Sequence, residues 1–395
     1  MQRVEMLEGV AGVPRDAWDA LVGDESPFLE WDWLASLEQS GSVGPGTGWL
    51  PRPLVIRDES RLLAACPAYV KDHSEGEFVF DWAWADAAER AGIRYYPKLL
   101  VGIPFTPVTG ARLLVAEGED RAERTRQLGA ALREVCLGNG LSGVHINFCR
   151  EAETRSLAAS DYLLRVGLQY HWSNPGYGGF EDYLARFRSK RRNQIRRERR
   201  EMAEQGIEIE CLRGDAIPDA LVEPMFRCYL ATIESHTWGR QYLNLRFFER
   251  LAQRFRHRLC FVVARHGGEV IAGTTNVVKG DAFYGRYWGA LRPARHLHFN
   301  VCYYAAIEHC IESGIRRFEP GAGGDYKYLR GFEAQPTYSL HFLTEPRLAA
   351  AVARFLASER GQAARAIEGL RTESPFKGAA PKPGGRNDRA EAESG

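Results

Sequence analysis

The sequence lacks an excess of one charge and has no long apolar run. Lys and Arg total 52 against 51 Asp and Glu, so the formal charge is +1 and no overall field attracts nucleic acid or an anionic membrane. The longest apolar runs, such as residues 259–264, fall far short of the roughly 20 residues that span a bilayer. The first ten residues carry no signal-peptide apolar region. We therefore expect a cytoplasmic protein without a transmembrane segment, in which any anionic partner binds a local patch.

Familiar catalytic and nucleotide-binding motifs are also absent. The chain has no GxSxG, HExxH, GxxxxGK or GxGxxG, which weakens assignment as a serine hydrolase, zinc protease, NTPase or dinucleotide-binding enzyme. Its eight cysteines form no CxxC pair and mostly lie in apolar runs such as LCFVVA. We interpret them as reduced, buried small residues.

The composition is that of a folded protein with more than one domain. At about 150 residues per domain, 395 residues predict two or three domains, and 45% hydrophobic residues suffice for their cores. A pattern of strands, helix and strand occurs twice along the chain. We predict a first domain at 1–165, a second at 166–345, a helix at 346–372 and a disordered tail at 373–395.

Periodicity predicts the individual elements. Apolar residues recur at helical spacing in residues 17–22, 30–39, 124–137, 152–166, 302–313 and 347–370. The run PLVIRDESRLLAACPAYVK predicts two strands joined by the polar turn RDES, and LCFVVARHGGEVIAGTTNVVKG predicts a second strand–turn–strand unit. IRRFEPGAG predicts a short strand that ends in glycines.

A strongly basic helix is predicted at residues 186–200. Nine of its residues are Lys or Arg, and one apolar edge packs while the cations face solvent. One interpretation is a solvated helix partly neutralised by Glu198, Glu201 and Glu204. The other is a surface that binds the phosphates of tRNA, another RNA or a nucleotide-linked precursor, since Arg and Lys recognise phosphate and not sequence. Its candidate residues are Arg191, Arg192, Arg196 and Arg197.

The densest polar and aromatic segment spans residues 285–342. A strand end with Tyr287 and Trp288, a helix start near Asn300 and a glycine turn after a strand together predict a notch with free backbone N–H groups, which can hold an oxyanion or a phosphate. The alternative is a surface ion pair beside a glycine-rich turn. His296 and His298 lack a further Cys/His cluster nearby, so we expect no metal site there.

A second polar and aromatic group lies in the first domain. Its members are Lys71, His73, Asp81, Trp82, Trp84, Tyr95, Tyr96 and Lys98. Trp and Tyr are often half-buried packing residues. The alternative is an acceptor pocket, because a cleft between domains is a common ligand site.

Ordered segments along the chain resemble a known family. SPFLEWDWLASLEQSG, PAYVKDHSEGEFVFDWAWADA, PFTPVTGARLL, SKRRNQIRRERR, YGRYWG, HFNVCYY and KYLRGF are similar to the FemAB-like (peptidoglycan biosynthesis or recognition) proteins of the GNAT acyltransferase superfamily, over about residues 26–360. The resemblance implies an α/β (α+β) fold of tandem GNAT-like domains, each a mixed sheet flanked by helices, with a C-terminal helix that returns to the first domain. It also implies transfer of an acyl or aminoacyl group to an amine.

The resemblance further implies co-substrates and site residues. Fem ligases use aminoacyl-tRNA and ordinary GNAT enzymes use acyl-CoA, so no tightly bound cofactor is expected and the acceptor is an amine-bearing small molecule or peptide. Where the family has His-Phe-Glu and Gly-Glu-His-Lys, this chain has Asn300 and Tyr326 in place of the glutamate and the histidine. The catalytic residues predicted from these segments are Asp325, Tyr326, Lys327 and Arg330.

A GNAT-like pyrophosphate signature fits residues 126–131 by its letters. In that motif, backbone N–H groups at a helix start bind phosphate. Arg126, Gly129 and Ala131 are therefore cofactor-binding candidates. The leading hypothesis is direct attack by an amine on an activated acyl donor. The alternative is a non-catalytic protein that binds RNA or cell-wall precursors through the basic helix.

Overall fold

The computed structural model describes residues 2–59, 61–235 and 239–377. Strands and helices alternate along the chain, as the strand–helix–strand pattern predicts. The strands are β1 Gln2–Met6, β2 Trp49–Pro51, β3 Leu54–Asp58, β4 Arg61–Cys66, β5 Ala68–Lys71, β6 Lys98–Val101, β7 Leu114–Val115, β8 Gly143–Cys149, β9 Leu163–Ser173, β10 Ile207–Arg213, β11 Leu259–His266, β12 Glu269–Lys279, β13 Ala282–Ala290, β14 Arg317–Glu319 and β15 Glu333–Leu343.

The helices flank these strands. They are α1 Arg15–Val22, α2 Trp31–Gln39, α3 Trp82–Arg90, α4 Arg121–Gly138, α5 Glu151–Ser156, α6 Phe180–Ala185, α7 Ser189–Ala203, α8 Val222–Glu234, α9 Leu245–Arg254, α10 Leu297–Phe299, α11 Ala305–Glu312 and α12 Pro346–Thr372. A π-helical turn, Asn300–Tyr304, joins α10 to α11, and a 3₁₀ segment, Asp325–Arg330, precedes β15. Within the described residues, no helix is both long enough and apolar enough to cross a bilayer.

The strands form two sheets. A large sheet has the order β10-β11-β12-β13-β14-β9-β15-β8-β6-β5-β2, and a small sheet has the order β1-β3-β4-β7. The turn between β11 and β12 is Gly267–Gly268, with φ of 59° and 82°, which are the positive angles that a tight hairpin requires. Helices cover these sheets, so the predicted fold class, tandem GNAT-like halves of mixed sheet flanked by helices, is confirmed.

The two halves repeat one arrangement. In the first half (β1–β8) the antiparallel run β2-β5-β6 ends in a parallel pair, β6 with β8. In the second half (β9–β14) the antiparallel run β10-β11-β12-β13 also ends in a parallel pair, β13 with β14. An aromatic core joins the halves, because Trp33 of α2 packs edge-on against Phe247 of α9.

The predicted boundary between residues 165 and 166 is wrong, because it falls inside β9. The helix predicted at 152–166 ends at Ser156 as α5, and residues 163–173 form a long strand. β15 pairs with this strand and also with β8 of the first half. The halves therefore share one continuous sheet. The cause is a long-range pairing, which local periodicity does not reveal.

The C-terminal helix α12 matches the prediction at 346–372. Its Leu348, Val352 and Leu356 pack with Trp84 of the first half, while Ile367 packs in the second half. The predicted disorder at 373–377 is wrong, because Phe376 is buried against Phe187. Residues 378–395 of the predicted tail lie outside the described residues.

Candidate functional site

The parallel pair of the second half comes apart at its carboxyl end. Register pairs run from Ala282 with Arg317 to Tyr284 with Glu319, where β14 ends, whereas β13 continues to Ala290. Beyond Tyr284, no strand of the described residues pairs with β13 on that side. We call the gap between residues 285–288 and 320–322 the slot. Buried backbone N–H and C=O groups require hydrogen-bond partners. Because no described strand supplies them at this edge of β13, a ligand can.

Two cavities meet at the slot. An inner cavity of about 160 Å³ lies toward the π-helical turn, and an outer cavity of about 950 Å³ lies toward the first half. Arg286, Tyr287, Pro320 and Ala322 line both. The outer cavity is also lined by Phe78, Phe80 and Phe105 of the first half. A substrate can therefore extend from the space between the halves into the second half.

Lys327 lies at the inner cavity with an unusual set of partners. The 3₁₀ segment after the glycine turn brings its side chain back to the slot, where Nζ donates to the carbonyls of Gly321 at 2.9 Å and Ala322 at 3.0 Å. The residue is only 3% exposed and has no carboxylate in an ion pair within the described residues. Burial lowers the pKa of Lys327 to about 8. An ammonium that loses its proton this easily is suited to proton transfer or to stabilising a developing negative charge.

Aromatic side chains form the rest of the inner cavity. Trp288, His298 and Tyr326 line it together, with ring centroids 5.1 Å apart between Trp288 and His298 and 5.5 Å apart between His298 and Tyr326. Burial, assisted by the charges of Arg330 and Lys327, lowers the pKa of His298 to about 4. The imidazole is therefore neutral at physiological pH. The structure thus brings Tyr287, Trp288, His298, Tyr326 and Lys327 to one place.

Arg330 does not line the slot. It is 3% exposed, its guanidinium lies 3.3 Å from the ring centre of Phe299, and it donates to Tyr304 and to the buried carboxylate of Glu198. This is the geometry of a packing and ion-pairing residue. Its catalytic role stays a prediction that this position does not support, and the guanidinium also donates to the carbonyl of Tyr326 at 3.1 Å.

Three other predicted site residues lie away from the cavity. Asp325 accepts a hydrogen bond from Tyr170 at 3.3 Å. Asn300 is buried, and its amide donates to the carbonyl of His296 at 2.9 Å, while the His296 ring lies 2.9 Å from Glu201. The substrate-binding roles of Asn300 and His296 stay predictions, and both side chains have partners in α7, because Asn300 also donates to the carbonyl of Glu198 at 3.2 Å.

Sequence reasoning missed Arg286. It lies in β13 among aromatic residues, lines both cavities and donates to the carbonyl of Phe105 in the first half. Burial lowers its pKa. The available signal was a charge within the strand sequence AFYGRYWGA, because an arginine in a buried strand needs a specific reason. Cys302 and Tyr303, which also line the inner cavity, have no such signal because they fit a helical apolar face.

The candidates of the first half gather at another cavity. His73 and Trp82 line a space of about 620 Å³, and Lys71 lies beneath it, fully buried, with Nζ 3.2 Å from His73 and 3.9 Å from the ring centre of Trp49. Burial lowers the pKa of Lys71 to about 7. This cavity is separate from the slot, since its lining residues and those of the slot do not overlap.

The arginines of the basic helix α7 are largely engaged by the protein. Arg196 pairs with Glu181, Arg197 lies 3.8 Å from Glu201 and Arg199 pairs with Glu308 at 2.6 Å. Arg191 donates to Gln194, and Arg192 donates to the carbonyl of Phe187. Carboxylates therefore balance the charges of Arg196, Arg197 and Arg199, whereas the hydrogen bonds of Arg191 and Arg192 hold these side chains without neutralising them. Exposed ion pairs of this kind contribute little to the free energy of unfolding.

The pyrophosphate motif predicted at residues 126–131 does not fit the structure. α4 begins at Arg121 with Asp120 as its N-cap, so Arg126, Gly129 and Ala131 lie in its second and third turns, where N–H groups are bonded within the helix. A side chain at Gly129 would come within 2.5 Å of Leu157. The glycine serves helix packing. The prediction matched the residue types of the motif but did not take into account where the helix begins.

Comparison with known proteins now identifies the family. The model of the FemAB-like family, described as peptidoglycan biosynthesis/recognition, matches residues 9–378. The chain belongs to the FemAB-like family. No curated protein sequence matches it significantly. The family assignment from the ordered segments in the sequence is therefore confirmed.

Solved structures share the fold of this FemAB-like protein at low identity. The crystal structure of FemX is 10% identical, covers 86% of this chain and 98% of its own, and has a TM-score of 0.52. L-PGS from Bacillus licheniformis is 9% identical, with 87% and 97% covered and the same TM-score. A conserved protein of unknown function from Bacteroides thetaiotaomicron is 11% identical, with 87% and 100% covered and a TM-score of 0.52. At such identities the likeness concerns the fold alone.

Proposed function

We propose that the protein is an acyltransferase that forms an amide bond at the slot of the second half. An amine attacks the carbonyl carbon of an activated acyl donor, either acyl-CoA or aminoacyl-tRNA. Family membership supports an acyltransferase-type role. The observation that carries the assignment to the slot is Lys327, a buried ammonium of the inner cavity that has no carboxylate ion-pair partner among the described residues and that donates to the carbonyl of Ala322, a residue lining both cavities.

The chemistry follows from these groups. The amine nitrogen forms the new C–N bond, the bond from the carbonyl carbon to the thiolate or ribose oxygen breaks, and the amine proton ends on that leaving group. Lys327 stabilises the negative charge that develops on the carbonyl oxygen, an effect of about 10²- to 10³-fold for one donor. Tyr326, at the same cavity, relays the proton. No covalent enzyme intermediate is required.

The two cavities divide the substrates between them. The donor carbonyl sits at the slot, where the unpaired edge of β13 supplies backbone groups. The outer cavity, lined by Phe78, Phe80 and Phe105, accepts the larger partner between the halves. Holding both substrates in one orientation contributes further rate enhancement, because it removes the entropic cost of a bimolecular encounter. Asp325 and Arg330 position the 3₁₀ segment that carries Lys327.

The test is a transfer assay with two donor series. The purified chain is incubated with a panel of amines and either CoA thioesters or charged tRNA, and amide products are detected by mass spectrometry. We expect product with one donor series, and Lys327→Ala to reduce its rate at least 100-fold. Lys377→Ala is the matched control, because Lys377 is exposed on the surface.

The outcomes separate the alternatives. Equal rates for wild type and Lys327→Ala would show that the site lies elsewhere. Salt-dependent binding of RNA without turnover of either donor series would favour the non-catalytic alternative, in which α7 binds phosphate. Each variant is compared at equal folded concentration, judged by circular dichroism.

A further inference from the structure

We propose that Cys211, Cys260 and His309 form a binding site for a thiophilic divalent metal ion such as Zn²⁺. The site lies on the second half and is separate from the slot. Cys211 comes from β10, Cys260 from the neighbouring strand β11, and His309 from α11, which packs against β10. Their sulfur and nitrogen atoms all lie within 4.8 Å of one another.

The distance between the sulfurs fits tetrahedral coordination. Sγ of Cys211 and Sγ of Cys260 are 3.8 Å apart. Two thiolates at about 2.3 Å from a tetrahedral zinc ion are about 3.8 Å apart, so they need almost no movement to bind one. A covalent S–S bond would require about 2 Å, a much larger approach of two residues fixed by the strand register.

The histidine completes a three-ligand set. Nε2 of His309 is buried and forms no hydrogen bond of normal geometry within the described residues, with the Cys211 thiol as its polar neighbour. Cys211 and His309 are each partly exposed, so an ion can enter from the surface. Two thiolates and one imidazole leave a fourth position for water, a ligand set that suits zinc over calcium or magnesium.

The bound ion would tie three elements together. β10 is the edge strand of the large sheet, and its neighbour is β11 on one side only. A metal held by β10, β11 and α11 fixes this edge to a helix, and it stabilises the folded chain in proportion to the logarithm of metal concentration over Kd. Cys302 and His298 belong to the slot and take no part.

Cobalt provides the first test. Tag-free chain is stripped with a chelator, reduced and titrated with Co²⁺ under anaerobic conditions. We expect one equivalent to produce a thiolate-to-cobalt charge-transfer band and tetrahedral d–d bands, both displaced by Zn²⁺. Cys211→Ser and His309→Ala should reduce the charge-transfer band at least tenfold, whereas Cys136→Ser, a thiol buried in the first half, should keep it.

A second measurement is independent of variant folding. Wild-type chain, with and without Zn²⁺, is alkylated with iodoacetamide, and the modified cysteines are mapped by mass spectrometry. Zinc should slow modification of Cys211 at least tenfold and leave Cys302, also partly exposed, unchanged. Absence of the cobalt band in wild type, or equal protection of Cys211 and Cys302, would overturn the proposal.

Discussion

The two halves use the same strand arrangement but treat its open end differently. In the first half, β8 continues past Ile146, its last residue paired with β6, and the loop that follows β6 donates hydrogen bonds to the carbonyls of β8 beyond that point. Arg112, fully buried, donates to the carbonyl of Asn147 at 2.7 Å, and Gly110 donates to that of Phe148. In the second half the same place is the slot. A parallel pair is thus closed by its own loop in one half, whereas it is left open beside two cavities in the other.

The two halves also bury lysines with different partners: Lys98, in addition to Lys71, in the first half and Lys327 in the second. Lys98 at the start of β6 is fully buried, donates to Glu77 at 3.0 Å and to Ser74 at 2.9 Å, and also pairs with Asp81. Burial opposes its charge, but the two carboxylates outweigh that effect and raise the pKa of Lys98. Lys327 has only carbonyl partners, and its pKa falls. The comparison teaches that two adjacent carboxylates keep a buried lysine charged, whereas burial without them lowers the pKa of Lys327.

The largest expected effect is on the free energy of unfolding, which should separate Lys98 from Lys327. Lys98→Met leaves Glu77 and Asp81 buried without their cation, and we expect a loss of about 3–5 kcal/mol in the free energy of unfolding. Lys327→Met removes a buried ammonium that has no counter-charge, and should lower the same quantity by less than about 1 kcal/mol. Urea denaturation at pH 7 measures both. A similar loss for the two variants would contradict the distinction.

The next effect concerns pH. If Lys327 acts as a cation, the transfer rate should fall as pH rises through about 8, because the ammonium deprotonates there. Lys327→Arg keeps the charge at higher pH, so its decline should begin at a higher pH even if its maximum rate is lower. The pH profile of kcat for both proteins measures this. A rate that instead rises through pH 8 would assign Lys327 the role of a neutral base.

A smaller effect tests the slot itself with a matched pair of glycines. Gly285 and Gly102 each follow the last paired residue of a parallel pair. A Cβ at Gly285 would lie 3.2 Å from Phe318 and 3.3 Å from Pro320, narrowing the slot, whereas a Cβ at Gly102 has ordinary contacts at 3.9 Å. We expect Gly285→Ala to reduce the transfer rate about tenfold and Gly102→Ala to leave it unchanged. Equal effects would show that the open end has no special role.

The smallest effect compares the helices α7 and α4. Replacing Arg196 and Arg197 by Gln should leave folding unchanged, because exposed ion pairs contribute little. If the donor is aminoacyl-tRNA, its KM should rise and the slope of log affinity against log salt should become shallower by about 2. Arg126→Gln on α4 is the control and should change neither quantity. With acyl-CoA as donor, all three proteins should behave alike.

Much of the local structure could be predicted from the sequence. Helices at 17–22, 30–39, 124–137 and 347–370 and the strand of IRRF were confirmed within a few residues, because each carries a clear apolar period or turn signal. The basic helix was also confirmed, although α7 begins at Ser189 after a break that follows α6. These predictions succeeded because each element is determined by residues that are neighbours in sequence.

The site could be predicted only in part, because it depends on neighbours in space. Residues 285–342 do contain Lys327, Tyr326, Trp288 and Tyr287. However, the sequence alone did not distinguish the role of Lys327 from that of Arg330 on the same 3₁₀ segment. In the structure, the Lys327 side chain points to the slot, whereas the Arg330 side chain points to Glu198. The ligand set of Cys211, Cys260 and His309 was missed for the same reason, since nearly a hundred positions separate its first and last members.

The large sheet can be completed only late in synthesis, because β15 is its last strand along the chain. This strand pairs with β8, which leaves the ribosome almost two hundred residues earlier, and with β9. The facing edges of β8 and β9 in the large sheet therefore stay unpaired until β15 emerges. Contacts so distant in sequence slow folding and leave unpaired strand edges exposed to aggregation during that wait. Truncations that remove residues 333–343 should accordingly yield insoluble chains.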